Sequence, residues 1–397
     1  MNREVLAHIS RLPIDDLPAY VYDLRSLRDH ARTIRAALPE RVELLYAAKA
    51  NADPRLLRVL ADHVDGFEVA SGGELSHVRS HFPDMPIAFG GPGKTPAELA
   101  RAVDAGVSRL HVESEHELRV LTTVLGDRSI DILLRVNLAL TPGPVALTMG
   151  GRPGPFGLEP AQLDNCLAVI ATDRRLRLRG LHVHLASGIQ APGHLDLAED
   201  VLKWAHGWAE ARRINLAEVN VGGGMGVDYA HPDQLFDWAA FGTGLHRLLA
   251  RRQGLTVRIE PGRSVTAYCG WYVTEVLDVK RSHGEAFAVV RGGTHHLRTP
   301  AAKQHNQPFQ IIPADTWPRP WPRPEARREP VTLVGQLCTP KDVLARRIPV
   351  RQLRSGDRIA FAMADAYAWN ISHHDFLMHP APAFHHLDEA PVPASVP

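Results

Sequence analysis

Between residues 43 and 262 the chain alternates short apolar runs with longer amphipathic stretches. The apolar runs are ELLYAAKA, DGFEVAS, MPIAFGG, RLHVES, IDILLRVN, LRGLHVHLAS, AEVNVGGG and TVRIEPG, which predict eight strands. The stretches between them include PRLLRVLADH, GGELSHVRSHF, TPAELARAVDAG and SEHELRVLTTVL, whose apolar residues recur three and four apart, the spacing of one helix face. Thr95 followed by Pro96 and Glu98 reads as a capped first turn, and Ser114 precedes a Glu-rich one. Strands that alternate with helices pair in parallel, so eight such units predict an α/β fold closed into a (β/α)8, TIM-like barrel. The loops at the carboxyl ends of the strands form the open mouth of such a barrel. Lys49, Arg135, Asn137, His184, Gly222 to Gly224 and Glu260 all fall at or just past those ends, so the rim is the candidate site.

Past Gly262 the pattern changes. YCGWYVTEVLDVK, EAFAVVRG, VTLVGQLC and DRIAFAMADAYAW are strand-like with no helical stretches between them, which predicts a second, mostly antiparallel β domain. The early run AYVYDL is expected to join it, giving a barrel over 25–265 and a β-rich domain built from 1–24 and 266–397. PADTWPRPWPRPEARREP is too rich in proline for a central strand and reads as an exposed loop. The tail EAPVPASVP reads as disordered.

Composition narrows the ligands. With 45 basic and 44 acidic residues the net charge is +1, and no long basic run is present, so nucleic acid and anionic membrane are not expected partners. MNREVLAHIS lacks the features of a secretory signal and no run approaches a membrane span, which fits a cytoplasmic enzyme acting on a small molecule. Cys166, Cys269 and Cys338 are far apart and form no CxxC pair, so any chemistry they have is that of a thiol.

The rim lysine is the centre of the reading. Lys49 closes an apolar run where a strand would open into a loop, and a partly desolvated amine there has a lowered pKa and can act as a nucleophile. YAAKAN, HVHLASG, VNVGGGMG, EPGR, GQLCTPKD and DAYAWN occur in that order. Together they resemble the fold type III pyridoxal-phosphate decarboxylases, the family of diaminopimelate and ornithine decarboxylases, which shares its barrel with alanine racemase. The resemblance runs from about Ala19 to Pro380.

It implies pyridoxal 5'-phosphate as cofactor, with Lys49 as the Schiff-base lysine, His184 stacked on the pyridine ring and Ser187 helping to hold the phosphate. Gly222, Gly223 and Gly224 resemble the phosphate loop, where the lack of Cβ atoms lets backbone N–H groups come close. Glu260 would pair with the pyridine nitrogen and keep it protonated, so that the ring draws electrons, while Gly262 and Arg263 approach the phosphate. The racemase branch places an arginine at that nitrogen, so Glu260 implies decarboxylation. GQLCTPKD is similar to a loop that crosses a homodimer interface, which makes Cys338 the candidate proton donor and sets Asp342 near substrate. Tyr367 in DAYAWN would contact the phosphate, Arg298 in GGTHHLRTP a substrate carboxylate, and Arg135 on the rim also belongs to the expected substrate pocket.

Departures bear on the substrate. Relatives often read HxGS where this chain has His184, Leu185, Ala186 and Ser187, and SKFG where it has Gly154, Pro155, Phe156 and Gly157. HHLRTP, GQLCTPKDVLA and SHHDFL look most like the carboxylate-siderophore subgroup (staphyloferrin B-type), which decarboxylates an amino acid already joined to citrate. A diaminopimelate or other basic amino-acid decarboxylase, a racemase on the same fold and a non-catalytic binding homologue are the alternatives. In NISHHDFLMHP the adjacent His373 and His374 cannot easily share one ion, and the cofactor needs none, so no metal site is expected.

Overall fold

The computed structural model describes residues 1–140 and 147–388, so the tail EAPVPASVP lies outside the described residues. The chain divides into two compact units, one of Arg28–Val227 with Leu235–Val265, the other of Met1–Leu27 with Asp228–Gln234 and the chain from Thr266 onward.

The first unit is the eight-stranded barrel. Its strands are β1 (Val42–Ala47), β2 (Gly66–Val69), β3 (Ile87–Phe89), β4 (Arg109–Val112), β5 (Ile130–Arg135), β6 (Leu176–His182), β7 (Glu218–Asn220) and β8 (Thr256–Ile259). They pair in parallel in that order, and β8 closes on β1 through Val257 opposite Val42. β2 and β3 are both buried along their whole length, which is why β3 appears in the sequence as a continuous apolar run and β2 as one interrupted only by Glu68. The expected helix starts are present. Thr95 accepts from Glu98 N while Glu98 reaches back to Thr95 N, and Ser114 Oγ accepts from Glu117 N at 3.0 Å.

The second unit carries an eight-stranded sheet. Ala19–Asp23 pairs antiparallel with Gly270–Ser282, as AYVYDL promised, and parallel with Ala383–Leu387. The remaining ladders are antiparallel except for Glu285–Val290 beside Glu325–Val334. Exposure here alternates, as in Glu285–Val290, whose side chains point in turn to the core and toward solvent. An N-terminal helix, Arg3–Arg11, seats Val5 and Ile9 against Trp271 and Val273.

Three expectations need correction. A short helix, Thr299–Lys303, interrupts the region expected to lack helices. Asp228–Gln234 belongs to the sheet unit, where Tyr229 stacks on His305 with centroids 4.1 Å apart. The Pro-rich segment is loop only as far as 324, since a strand starts at Glu325 and runs through Pro330. Pro330 is tolerated because it faces Pro349, and the neighbouring strand on the other side pairs only from Val331 onward, so no ladder amide is missed there.

Candidate active site

Backbone bonds across the barrel gather the rim. Ala47 N–H donates to Pro261 O at 3.1 Å, Glu260 N–H to Gly222 O at 2.9 Å, and Val183 N–H to Asn220 O at 2.8 Å. The ends of β1, β6, β7 and β8 are thus tied together, and with them Lys49, His184, Gly222 and Glu260. These four expected residues share one rim.

Lys49 stands in the single 3-10 turn Ala48–Ala50 that ends β1. Its Nζ lies 2.6 Å from Glu68 Oε2 on β2, with the lysine side chain 44 % exposed and Glu68 only 5 %. The amine therefore meets a carboxylate, not the apolar surround that its strand-end position suggested.

Glu260 is buried just past β8. Asn220 Nδ2 donates to Oε1 at 2.6 Å, His111 Nε2 lies 3.6 Å from Oε1, and His182 Nε2 lies 3.5 Å from Oε2. Burial pushes the Glu260 carboxyl up to about 7, the nearby Glu68 adding to the rise while Lys49, Asn220 and Arg135 oppose it. His184 is pushed down to about 3, by burial first and then by the charges of Arg135 and Lys49, so its ring is neutral. Its Nδ1 is buried without a hydrogen-bond partner.

The three glycines are required by close approach. A Cβ on Gly222 (φ +71°) would lie 2.5 Å from His184 Nδ1, one on Gly223 2.2 Å from Glu260 O, and one on Gly224 (φ +91°) 2.2 Å from Ala186 O. At Gly223 and Gly224 a side chain would press on backbone and at Gly222 on the His184 ring, whatever else the loop holds. Ser187 flanks this stretch, half-buried, on the short strand Ala186–Ser187. Gly262 and Arg263 follow Glu260 after the intervening Pro261, and Arg263 opens the single helical turn Arg263–Thr266.

Other expected residues take different positions. Arg135 NH1 binds Glu113 Oε1 at 2.8 Å and its guanidinium covers the Phe156 ring at 5.0 Å, so the arginine expected at substrate is engaged in a buried ion pair. Glu113 also accepts from Gly157 N, which links the departing GPFG segment to that pair. Asn137 pins a loop through Gly151 N and Arg152 O.

The sheet unit holds the rest. Asp342, expected near substrate, is 2 % exposed, and its two oxygens accept from Thr294 N at 2.7 Å and Leu337 N at 2.8 Å. It staples the turn that carries Cys338, whose thiol is free and exposed. Arg298 is exposed and lines a cavity of about 920 Å³ together with Lys341, Arg346 and His373, with no acidic residue among the lining groups. Tyr367 adopts φ +52°, a left-handed conformation that a tyrosine holds only under constraint, and its carbonyl accepts from Thr299 Oγ1. His374 stacks on Trp369 at 3.6 Å. Among the described residues, the group of possible metal-ligating side chains that does converge is elsewhere, His111, His182 and Glu260, with ligand atoms within 4.8 Å of one another.

Glu68, Glu113, His111, His182 and Asn220 were not singled out from the sequence. Their signal was present: each is a polar residue at or next to a run that is otherwise fully buried.

The family model for the pyridoxal-dependent decarboxylase pyridoxal-binding domain matches residues 24–267. The chain belongs to this decarboxylase family. Over 375 residues it is 41 % identical to the 2-[(L-alanin-3-ylcarbamoyl)methyl]-2-hydroxybutanedioate decarboxylase of Staphylococcus aureus, covering 93 % of this chain and 94 % of the relative. It is 30 % identical to the diaminopimelate decarboxylase of Bacteroides thetaiotaomicron over 88 % of this chain and 90 % of that one. In fold it matches the Helicobacter pylori diaminopimelate decarboxylase complexed with L-lysine, with a TM-score of 0.82, 24 % identity, and coverage of 98 % of this chain and 94 % of that one. The decarboxylase is thus a carboxy-lyase that works with pyridoxal phosphate, on a barrel followed by a mostly antiparallel sheet domain.

Its rim suits that cofactor. A glycine cradle that a Cβ would fill, a neutral imidazole with an unpartnered nitrogen and a buried carboxylate lie beside a primary amine, the functions needed for a phosphate, a ring face, a ring nitrogen and a carbonyl carbon. Among the described residues no helix is long and apolar enough to cross a membrane.

Proposed function

We propose that this decarboxylase removes the α-carboxylate of an amino acid already joined by an amide to a citrate-like skeleton, a step of carboxylate-siderophore assembly. The observation that carries the reading is the 41 % identity to the S. aureus enzyme over nearly the whole of both chains. The cavity lined by Arg298, Lys341 and Arg346 supports it, since three cations with no lining acid suit a substrate that keeps several carboxylates.

In this reading Lys49 is the primary amine that would hold the cofactor at its carbonyl carbon. Glu260 holds a proton at the pyridine nitrogen, and the neutral His184 ring covers one face without competing for charge. Ser187, Gly222, Gly223, Gly224, Gly262, Arg263 and Tyr367 take the phosphate. When bound, pyridoxal phosphate supplies the electron sink for the pair left behind as carbon dioxide departs. Cys338 delivers a proton to that carbon from the neighbouring subunit of a homodimer, and Arg298 receives a distal carboxylate. Arg135 and Asp342 keep the ion pair and the turn in which they stand.

Release of carbon dioxide from a panel of diaminopimelate, ornithine, lysine and a citrate-linked diamino acid tests the substrate. The citrate-linked compound is expected to exceed the others in kcat/KM by about 100-fold or more, because each polar group left unpaired by the wrong substrate costs about 1–3 kcal/mol. Equal or better turnover of diaminopimelate would replace this reading with that of the B. thetaiotaomicron relative.

A further inference from the structure

His111 on β4 and His182 on β6 are fully enclosed by the barrel, and all four of their ring nitrogens lack hydrogen-bond partners. Buried polar atoms of this kind carry a cost unless something binds them. The rings lie 4.3 Å apart, and each turns its Nε2 toward a different oxygen of Glu260. A metal ion is the obvious candidate for such a group, but the surroundings oppose it. Lys49, Lys94, Arg135 and Arg258 all act on His111 as repelling positive charges, and neither Nδ1 has the acceptor that normally orients a metal-bound imidazole.

We propose that His111 and His182 are paired positioning residues that donate one N–H each to the two oxygens of Glu260, completing with Asn220 a three-donor seat that keeps this carboxylate ionised against the pyridine nitrogen. The inference rests on the assignment of Glu260 to that nitrogen. Burial holds both imidazoles well below their ordinary range, so each is neutral and carries a single proton to donate. The separations of 3.5 and 3.6 Å close to hydrogen bonds when Glu260 becomes a full anion. The other charged or titratable groups facing the trio are Lys49, Glu68, Lys94, Arg135, His184 and Arg258. Without the donors, the proton shared between carboxylate and ring nitrogen moves to the oxygen and the ring loses its pull on electrons.

The test uses holoenzyme reconstituted with pyridoxal phosphate labelled with 15N in the ring, and follows the nitrogen signal with pH. His111→Phe and His182→Phe keep an aromatic ring and remove the donor. Each is expected to move the signal toward neutral pyridine and to raise the proton affinity of the Glu260 carboxyl roughly tenfold or more. Apoenzyme affinity for the cofactor should fall with it. His111→Gln and His182→Gln restore a donor at similar reach and should recover most of the shift, which a structural role would not produce. Glu260→Gln is the control. If it moves the signal while both Phe variants leave it unchanged, the donor seat is wrong and the cofactor assignment stands. If Glu260→Gln moves nothing, the assignment of Glu260 fails and the seat with it. Stoichiometric zinc binding by apoenzyme, lost in both Phe variants, would overturn the seat in favour of a metal.

Discussion

Two buried carboxylates, one on the barrel rim and one in the sheet unit, show how the same residue chemistry serves opposite ends. Asp342 gives both oxygens to backbone amides in a space cleared by glycines, where a Cβ on Gly293 would lie 2.6 Å from either oxygen. Glu260 takes one firm side-chain donor, Asn220, and faces two imidazoles at longer range. Burial raises the pKa of both. Backbone amides cannot be exchanged, so a carboxylate tied to them is architecture. A carboxylate surrounded by side chains with capacity left over can take a ligand.

The largest effect should fall on the barrel side. Lys49→Ala is expected to abolish turnover and the visible absorbance of bound cofactor, read by spectroscopy and carbon dioxide release, because no other amine stands at the end of β1. A variant that kept both would remove the rim from the comparison.

On the sheet side, Asp342→Ala should lower the unfolding free energy by about 2–4 kcal/mol, since two buried amides lose their acceptor. Denaturant titration measures it. A loss well under 1 kcal/mol would mean that this carboxylate, too, is held in reserve for a ligand.

The third effect is one of pH. Glu260 has a folded pKa of about 7 against an ordinary 4.5. Its raised value contributes stability that is fully present below 4.5 and is lost as pH rises through 7. Glu260→Gln is neutral throughout and lacks that slope, so the stability of wild-type apoprotein relative to this variant should fall across the interval. A flat difference would show that Glu260 is already ionised without cofactor.

The smallest effect belongs to Gly222. Gly222→Ala places a Cβ against His184 at a positive φ, which costs about 1–2 kcal/mol of backbone strain and displaces the imidazole. Cofactor affinity should weaken more than stability does, and the reverse ratio would make the glycine a folding requirement alone.

Much of this was legible before any coordinates. The alternation of buried runs with amphipathic stretches is a local property, so the barrel, the caps at Thr95 and Ser114 and the rim positions of Lys49, His184 and Glu260 could be read directly. The strand from Glu325 is not legible in the sequence because tolerance of Pro330 depends on which neighbour pairs where. The ion pair of Arg135 is not legible in the sequence because its partner Glu113 lies 22 positions away, just past the preceding strand.

Residue order dictated the periods, the strand ends and the kinds of chemistry available, since each follows from a few consecutive side chains and their hydration. Closure of the barrel decided which of them meet. Glu68 against Lys49, and His111, His182 and Asn220 around Glu260, come from strands separated by up to about 150 residues, and only the register of the closed sheet brings their atoms within bonding reach.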